Sequence, residues 1–368
     1  MLKKLYYILR VIPKLGFWNV TYMLWYRFSM KLGVRRKFFP VGESVPGPFF
    51  KTCKPIPNYP EEWKQKLHER AEKIVSGKIT LFHYHQFEVG IPPNWFLNPF
   101  NNEVLNNPQK HWTAISDFDL NTGDIKIIWE PSRFDWLTDL ARAYRVFGDP
   151  NYLETLNNWV EDWSKNNPMN QGPNWKCGQE ASIRVMKVFT AAAILNQLND
   201  VNSNLRILLW QHLQRIKKNI RYAIAQDNNH GTSEAAGLYI GSMWLLSLSD
   251  LEPKQRKVLI EWKEEGKRRL EERLLYLIAS EGTFAQKSIT YHRVVVDTLS
   301  CVLHAIRVFN EPMFSAKVLE RIEKLGEWQV KMTISEHGDA PNIGSNDGAM
   351  LENLHECEFR DFWPSSQQ

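Results

Sequence analysis

The chain has 368 residues, 43% hydrophobic and 24% charged, so it is long enough for one large domain or two ordinary ones and apolar enough for a substantial core. Its net charge of +5 is unevenly spread, with nine Lys or Arg and no Asp or Glu between Met1 and Val41. Because the basic excess is confined to that arm and no recognition motif accompanies it, a nucleic-acid role finds no support. The spacing of Cys53, Cys177, Cys301 and Cys357 speaks against a zinc site and a disulfide framework.

The arm interleaves its cations with Leu5, Tyr6, Ile8, Trp18, Tyr22, Trp25, Tyr26 and Phe28. Such a segment either lies on an anionic membrane face or packs as a pair of helices on the body of the protein, and the pattern allows both. Charges interrupt every apolar run and no small-residue cleavage site follows, which is unlike a signal peptide. No run approaches the length of a membrane span. A cytoplasmic or membrane-peripheral place is favoured, with a periplasmic one left open.

Residues 42–60 form a connection rich in Pro and Gly. A helix is expected from Pro60 to about Val75, with Glu61 and Glu62 in the first turn, where the dipole favours acids. From 78 to 108 the pattern breaks up among Asn, Pro and aromatics. Residues 111–130 read as a small β-hairpin that turns at Asn121-Thr-Gly-Asp124. From Pro131 the signal is helical: Phe134, Leu137, Leu140, Ala141 and Tyr144 recur at helical spacing, and Asp149-Pro150 supplies an N-cap with Pro at the first helical position. Further helices are predicted at about 178–197, 201–226, 232–249, 253–280, 288–310 and 312–334. Short polar connections make such helices antiparallel neighbours. The expected fold is mainly α, an incomplete (α/α) toroid of helical hairpins over 111–334, with a simple bundle as the alternative. The tail 335–368, rich in Gly, Asn and Asp, leaves regular helix. The 15 Trp, 12 Tyr and 19 Phe either fill a core or give stacking platforms for sugar rings, a slight pointer to carbohydrate.

Polar clusters fall where helices begin. In Gln226–Gly237, the residues Asn228, Asn229 and His230 are placed in a turn at a helix mouth, where free N–H groups and the dipole favour an anion. The plain alternative is a capping turn, with Thr232 or Ser233 starting the helix. Glu234 stands one turn beyond His230. Trp129-Glu-Pro-Ser-Arg133 opens the helical region, and Asn174-Trp175 precedes an apolar helix that carries Glu180 and, one turn on, Arg184. Ser288–Arg293 puts Tyr291 in a first turn, followed by His292. In a toroid these mouths can converge on one cleft.

That inventory fits β-elimination from a uronic-acid polysaccharide. The reaction needs a donor to neutralise the carboxylate, a base for the adjacent C–H proton, and an acid for the departing glycosidic oxygen. Asn229 and Arg184 suit the first task, and His230 and Tyr291 the others; no metal or organic cofactor is required.

The ordered pieces resemble the heparinase II/III-like polysaccharide lyases, which include alginate and oligoalginate lyases. They are Ile128-Trp-Glu-Pro-Ser-Arg133, Leu140-Ala-Arg-Ala-Tyr144, Gly148-Asp-Pro-Asn-Tyr152, Asn167-Pro168, Asn174-Trp175, Glu180-Ala-Ser-Ile-Arg184, Asn228-Asn-His230, Glu234-Ala-Ala-Gly237, Tyr291-His292 and Pro341-Asn-Ile-Gly-Ser-Asn-Asp-Gly348, spread over about 80–368. The resemblance implies that Asn229 neutralises the carboxylate, that His230 is a catalytic imidazole, and that Tyr291 is the acid, or acid and base together. It implies Arg184 holding a substrate carboxylate, with Glu180, Glu234, Arg133 and His292 as second choices that are structural or orient the substrate, and Trp175 as a further substrate-binding candidate. It also implies a following β-sandwich domain that supplies a further His; residues 335–368 are read as the start of such a domain, truncated or absent, with His337 and His355 as possible substitutes. Ser345 stands where the family often has Asp. The alternative function is a catalytically impaired glycan-binding or polysaccharide-assembly protein. A hydrolase on the same scaffold would need two facing carboxylates, and Glu130, Glu180 and Glu234 are unpaired candidates.

Overall fold

The computed structural model describes residues 16–56, 58–351, 354, 356, 359–362 and 364, so the first part of the basic arm, residues 1–15, and His355 lie outside it. The described arm is two helices, α1 (Phe17–Lys31) and α2 (Val34–Phe38). Helix α3 (Glu61–Val75) follows Pro60 as its acidic first turn predicts.

Residues 78–108, expected to be irregular, contain two antiparallel hairpins. One pairs β1 (Lys78–Leu81) with β2 (His85–Glu88), Ile79 opposite Phe87; the other pairs β3 (Leu97–Asn98) with β4 (Glu103–Val104). The first was hidden because Phe82 and His83, rather than Gly or Asn, take the positive φ values of 53° and 58° at its turn. The hairpin expected over 111–130 shrinks to β5 (Phe118–Asp119) and β6 (Gly123–Asp124), with Asp119 accepting from the Asn121 and Thr122 amides across the turn. Its second run is helical instead. The Asp124 carboxylate accepts from the Lys126 amide and starts α4 (Lys126–Trp129), which runs on into a 3-10 turn, Glu130–Arg133.

Eight longer helices follow: α5 (Asp135–Phe147), α6 (Pro150–Asn166), α7 (Gly178–Ile194), α8 (Ser203–Ala225), α9 (Asn229–Leu246), α10 (Pro253–Leu277), α11 (Ile289–Val308) and α12 (Ala316–Met332). Successive helices pack on one another, α5 on α6, α7 on α8, α8 on α9 and α9 on α10, which makes the mainly α, incomplete toroid that the periodicity predicts. Asp149 caps α6 by accepting from the Asn151 amide at 2.9 Å, with Pro150 in the first position. Trp95, Trp112, Trp159, Trp163, Trp175 and Trp244 are fully buried, so much of the aromatic excess fills the core.

Helix α9 is the centre of the arrangement. Nearly every side chain from Asn229 to Leu245 is buried, because the helix touches α7, α8, α10 and α11 and is apolar on all sides. Gly237 lets α9 approach α7 closely, since a Cβ there would lie 2.7 Å from the Ser182 Cβ. The described tail packs back on this body: buried Glu356 pairs with Arg70 and Arg142, and Arg293 Nη1 donates to the Phe359 carbonyl at 2.6 Å.

Replacing Gly237 by Ala therefore overpacks the α7–α9 contact. Urea unfolding should show a loss of about 1–3 kcal/mol, and an unchanged midpoint would mean that the two helices separate at little cost.

Candidate active site

The first turn of α9 begins earlier than its sequence pattern predicts. Asn228, not Thr232 or Ser233, is the cap: its Oδ1 accepts from the His230 amide at 3.0 Å, and Asn229 and His230 become the first helical residues. The Asn229 amide proton goes to Gln286 Oε1 at 3.0 Å. The Asn229 side-chain Nδ2 is buried and has no hydrogen-bond partner among the described residues. His230 sits beside Cys177, Nδ1 to Sγ 3.7 Å. Burial lowers its pKa to about 4; Glu180 opposes the shift, while Lys126 and Arg133 add to it. The imidazole is therefore neutral over the ordinary pH range. The Cys177 thiol, pushed up to about 12 by burial and then by Glu180 and Glu234, stays protonated.

Tyr291 faces the same cavity from α11. Ser288 caps that helix, its Oγ accepting from the Tyr291 amide at 3.2 Å. The Tyr291 hydroxyl donates to Asp347 Oδ2 at 2.8 Å, and Lys126 Nζ lies 3.1 Å from the same oxygen. Burial, and then the Asp347 charge and hydrogen bond, raise the phenol above its ordinary value, so it holds its proton. Burial pushes the Asp347 carboxyl upward, but Tyr291 and Lys126 outweigh it and the group stays below its ordinary value.

Asp347 arrives from the tail. The Ser345 carbonyl accepts from Ser288 Oγ at 2.6 Å and the Ile343 carbonyl from the Ile289 amide at 3.2 Å, stitching the tail to the start of α11. Gly344 makes this possible: its φ is +77°, and a Cβ there would lie 2.3 Å from the Lys287 carbonyl oxygen.

Arg133 and Glu180 complete the wall. Arg133 Nε and Nη2 each donate to a Glu180 oxygen at 2.9 Å, a bidentate pair, and Nη1 is paired with Glu130. Burial raises Glu130 to about 7 against the pull of Arg133, while its Oε2 accepts from the Phe82 amide at 2.7 Å. Phe134, buried and left-handed at φ 70°, turns the chain directly after Arg133; strained backbone of this kind persists where surrounding packing enforces it. Asn229, His230, Tyr291, Arg133, Glu180, Lys126 and Asp347 thus line one cavity of about 120 Å³. A larger groove of about 500 Å³, which shares Asp135 and Met350 with it, carries Lys66, Lys73 and Lys78.

Four expected site residues lie elsewhere. Arg184 is buried, donating to the Asn174 carbonyl at 2.7 Å and to His212 Nε2 at 2.9 Å, with its guanidinium 4.8 Å from the Trp163 ring; it braces the core and does not line the cavity. Trp175 is its buried neighbour and donates to the Asn167 carbonyl. His292 is turned inward, against the Leu325 carbonyl at 2.9 Å and the Trp328 ring. Glu234 is fully buried, its carboxylate against Gly178 at the start of α7, with Asn219 Nδ2 at 3.5 Å. His337 is exposed and does not line the cavity. Adjacent positions on a helix differ by a large rotation, so Tyr291 can face the cavity while His292 faces the core.

The family model described as Heparinase II/III N-terminus matches residues 49–368. The chain belongs to the heparinase II/III family. Among solved structures, its fold is similar to heparinase III (TM-score 0.50, 16% identity, 80% of this chain and 43% of that one) and to the heparan sulfate lyase HepC from Pedobacter heparinus (TM-score 0.49, 16% identity, 91% and 48%). The chain therefore spans less than half the length of these relatives. None of the curated proteins matches it. Within this heparinase II/III domain, Asp347, Lys126, Asp135 and Gln179 are polar cavity residues that the motifs do not single out. Asp347 stands in the quoted Pro341–Gly348 segment, whereas Lys126 belongs to no motif.

Burial raises Glu234 to about 8, with Arg215 opposing. Its folded pKa lies above the unfolded value, so its contribution to stability is complete below about pH 4.5 and is lost as the pH rises through about 8. The stability of the native chain relative to Glu234→Gln should fall over roughly pH 5–8, by at most about 1.4 kcal/mol per pH unit for one proton. Chemical denaturation at stepped pH measures this, and a flat difference would show that Glu234 ionises normally.

Proposed function

We propose that this chain is a polysaccharide lyase that cleaves a uronic-acid-containing polymer by β-elimination. The observation that carries the reading is the unpartnered amide of Asn229 beside a neutral imidazole and a protonated phenol in one cavity. A substrate carboxylate accepting from Asn229 Nδ2 becomes less able to repel a second negative charge, which makes the proton on the adjacent carbon easier to remove. His230 takes that proton. The C4–O bond breaks as the C4–C5 double bond forms, Tyr291 donates its proton to the departing oxygen, and the imidazolium returns a proton to the phenolate. Lys126, beside Asp347, offsets the charge left on Tyr291. The neutralising task expected of Asn229 and Arg184 together then rests on Asn229, with Lys126 and Arg133 as nearby cations. The adjoining groove, lined by Lys66, Lys73 and Lys78 together with Glu69 and Asp139, is the space next to the site through which a longer polymer would run.

A binding-only reading is favoured by one observation. The cavity of about 120 Å³ is smaller than the roughly 300–1,000 Å³ usual for ligand pockets. Incubation with heparan sulfate, alginate and hyaluronan, followed by the ultraviolet absorbance of unsaturated uronate, separates the two. The lyase reading expects product, with Asn229→Ala slower by about 10²–10³-fold and Tyr291→Phe by about 10²-fold or more. Folded protein that binds a polymer without product, and binds it equally well as Tyr291→Phe, would establish the binding-only reading.

The pH profile is a separate expectation. With His230 held near 4, kcat/KM should stay level from neutrality down to about pH 5 and fall below that, because this ratio reports the free enzyme. An acid limb at about 6.5 would instead mark a fully solvated imidazole.

A further inference from the structure

Helix α1 turns most of its large apolar side chains outward. Its inward face is mixed: Val20 is buried and Met30 packs on the core, while Tyr26 stacks on Tyr222 with ring centroids 3.8 Å apart, its hydroxyl donates to Asn219 Oδ1 at 2.9 Å, and Asn19 Nδ2 donates to Asp227 Oδ2 at 3.3 Å. Arg35 is tucked inside as well, over the Tyr26 ring and donating to Ser29. The outward face carries Phe17, Trp18, Leu24, Trp25, Phe28 and Leu32; Trp18 is 80% exposed and the others 47–61%. Trp18, Thr21, Trp25, Phe28 and Leu32 follow one another at intervals of three and four residues, so they form a single stripe along the helix. An apolar open groove of about 400 Å³ widens the stripe between Trp18, Tyr22, Trp25 and Ile224. Scattered apolar side chains on a surface need no account, but a continuous aromatic stripe turned to solvent marks a contact surface.

The surroundings of the stripe are cationic. Arg27, Lys31, Arg36 and Lys37 are exposed on the arm, Arg221 stands at the edge of the groove, and no acid occurs anywhere in residues 1–41. The nearest described carboxylates of α10, Glu265 and Glu272, are both engaged by Arg269. No described helix is long and apolar enough to cross a membrane. An aromatic stripe bordered by cations is the composition of a helix that lies in a bilayer interface: its rings enter the headgroup region and its cations meet anionic lipid.

We propose that α1 and α2 form a peripheral membrane anchor that docks the protein on an anionic phospholipid bilayer through the stripe Trp18–Trp25–Phe28–Leu32. The anchor bears on the catalytic region directly. The Asn19–Asp227 hydrogen bond ties α1 to the loop that enters α9, two residues before Asn229, and Arg273 holds the other oxygen of Asp227 at 2.7 Å.

The test is co-flotation of the full chain with vesicles. Phosphatidylglycerol–phosphatidylcholine vesicles should bind it at least about tenfold better than pure phosphatidylcholine, with the preference shrinking as salt is raised. This comparison uses the unaltered chain and needs no variant. The triple substitution Trp18→Ser, Trp25→Ser, Phe28→Ser should lower binding to the anionic vesicles about tenfold or more. Lys31→Glu, Arg36→Glu, Lys37→Glu should abolish the preference for anionic lipid. Circular dichroism checks the fold of each variant. Absence of flotation with either vesicle overturns the proposal. So does a solution dimer that the Trp18, Trp25 and Phe28 substitutions dissociate, because a second copy of the chain would then be the occupant.

Discussion

The burial of α9 on every side is the constraint from which the candidate site follows. A helix that contacts four others has no solvent face, so its first turn must emerge inside the molecule. The free N–H groups of that turn are then met by protein: Asn228 Oδ1 takes the His230 amide and Gln286 Oε1 the Asn229 amide. The Asn229 side chain is what this arrangement leaves over. A buried donor without a partner costs about 1–3 kcal/mol, and an acceptor that arrived from outside would remove that cost. An anion placed there recovers the deficit and gains from the dipole of a long helix.

The second requirement is long-range. Tyr291 stands at the start of α11, yet its partner Asp347 lies 56 residues further along the chain. That meeting depends on the stitch of Ser288 to Ser345 and Ile289 to Ile343, and the stitch depends on Gly344, the residue without a side chain to collide with Lys287. The cavity is thus closed by a segment with no regular structure. Its backbone hydrogen bonds go to the cap of a helix, so the same contacts that order α11 also orient its tyrosine.

This history explains what could be read in advance. The helices were legible because apolar residues recur at helical period, and capping pairs such as Asp149-Pro150 mark their starts. Asn229, His230 and Tyr291 were legible as residue types at helix mouths, and Arg133 and Glu180 as polar groups close by. Which way a side chain points was not legible, since that depends on the neighbours. Arg184, Trp175, His292 and Glu234 all sit at suitable positions along the chain, but packing turns them into the core, where Trp163, Asn174, Leu325 and Asn219 satisfy or surround them. The turn at Phe82-His83 was missed for a related reason, because tertiary contacts there enforce a backbone that local residue preference does not announce.

Electrostatics links the residues buried in the core to those that line the cavity. Desolvation drives the ionisable groups around α9 towards their neutral forms: His230 downward, Glu234, Cys177 and Glu130 upward, and Tyr291 upward with the help of Asp347. Charge persists where it is matched, in the Arg133–Glu180 and Lys126–Asp347 pairs. An anion that enters therefore meets little unbalanced negative charge, although Glu180 and Asp347 line the cavity and Glu234 lies about one turn into α9. The guanidinium that does line the cavity, Arg133, is already held by Glu180, so an anion would have to displace that carboxylate to use it. A neutral amide on a helix N-terminus needs no counter-ion. The burial of Arg184 and the unpartnered amide of Asn229 fit the proposed reading, in which the residue that would meet the anion waits uncharged in a dry site.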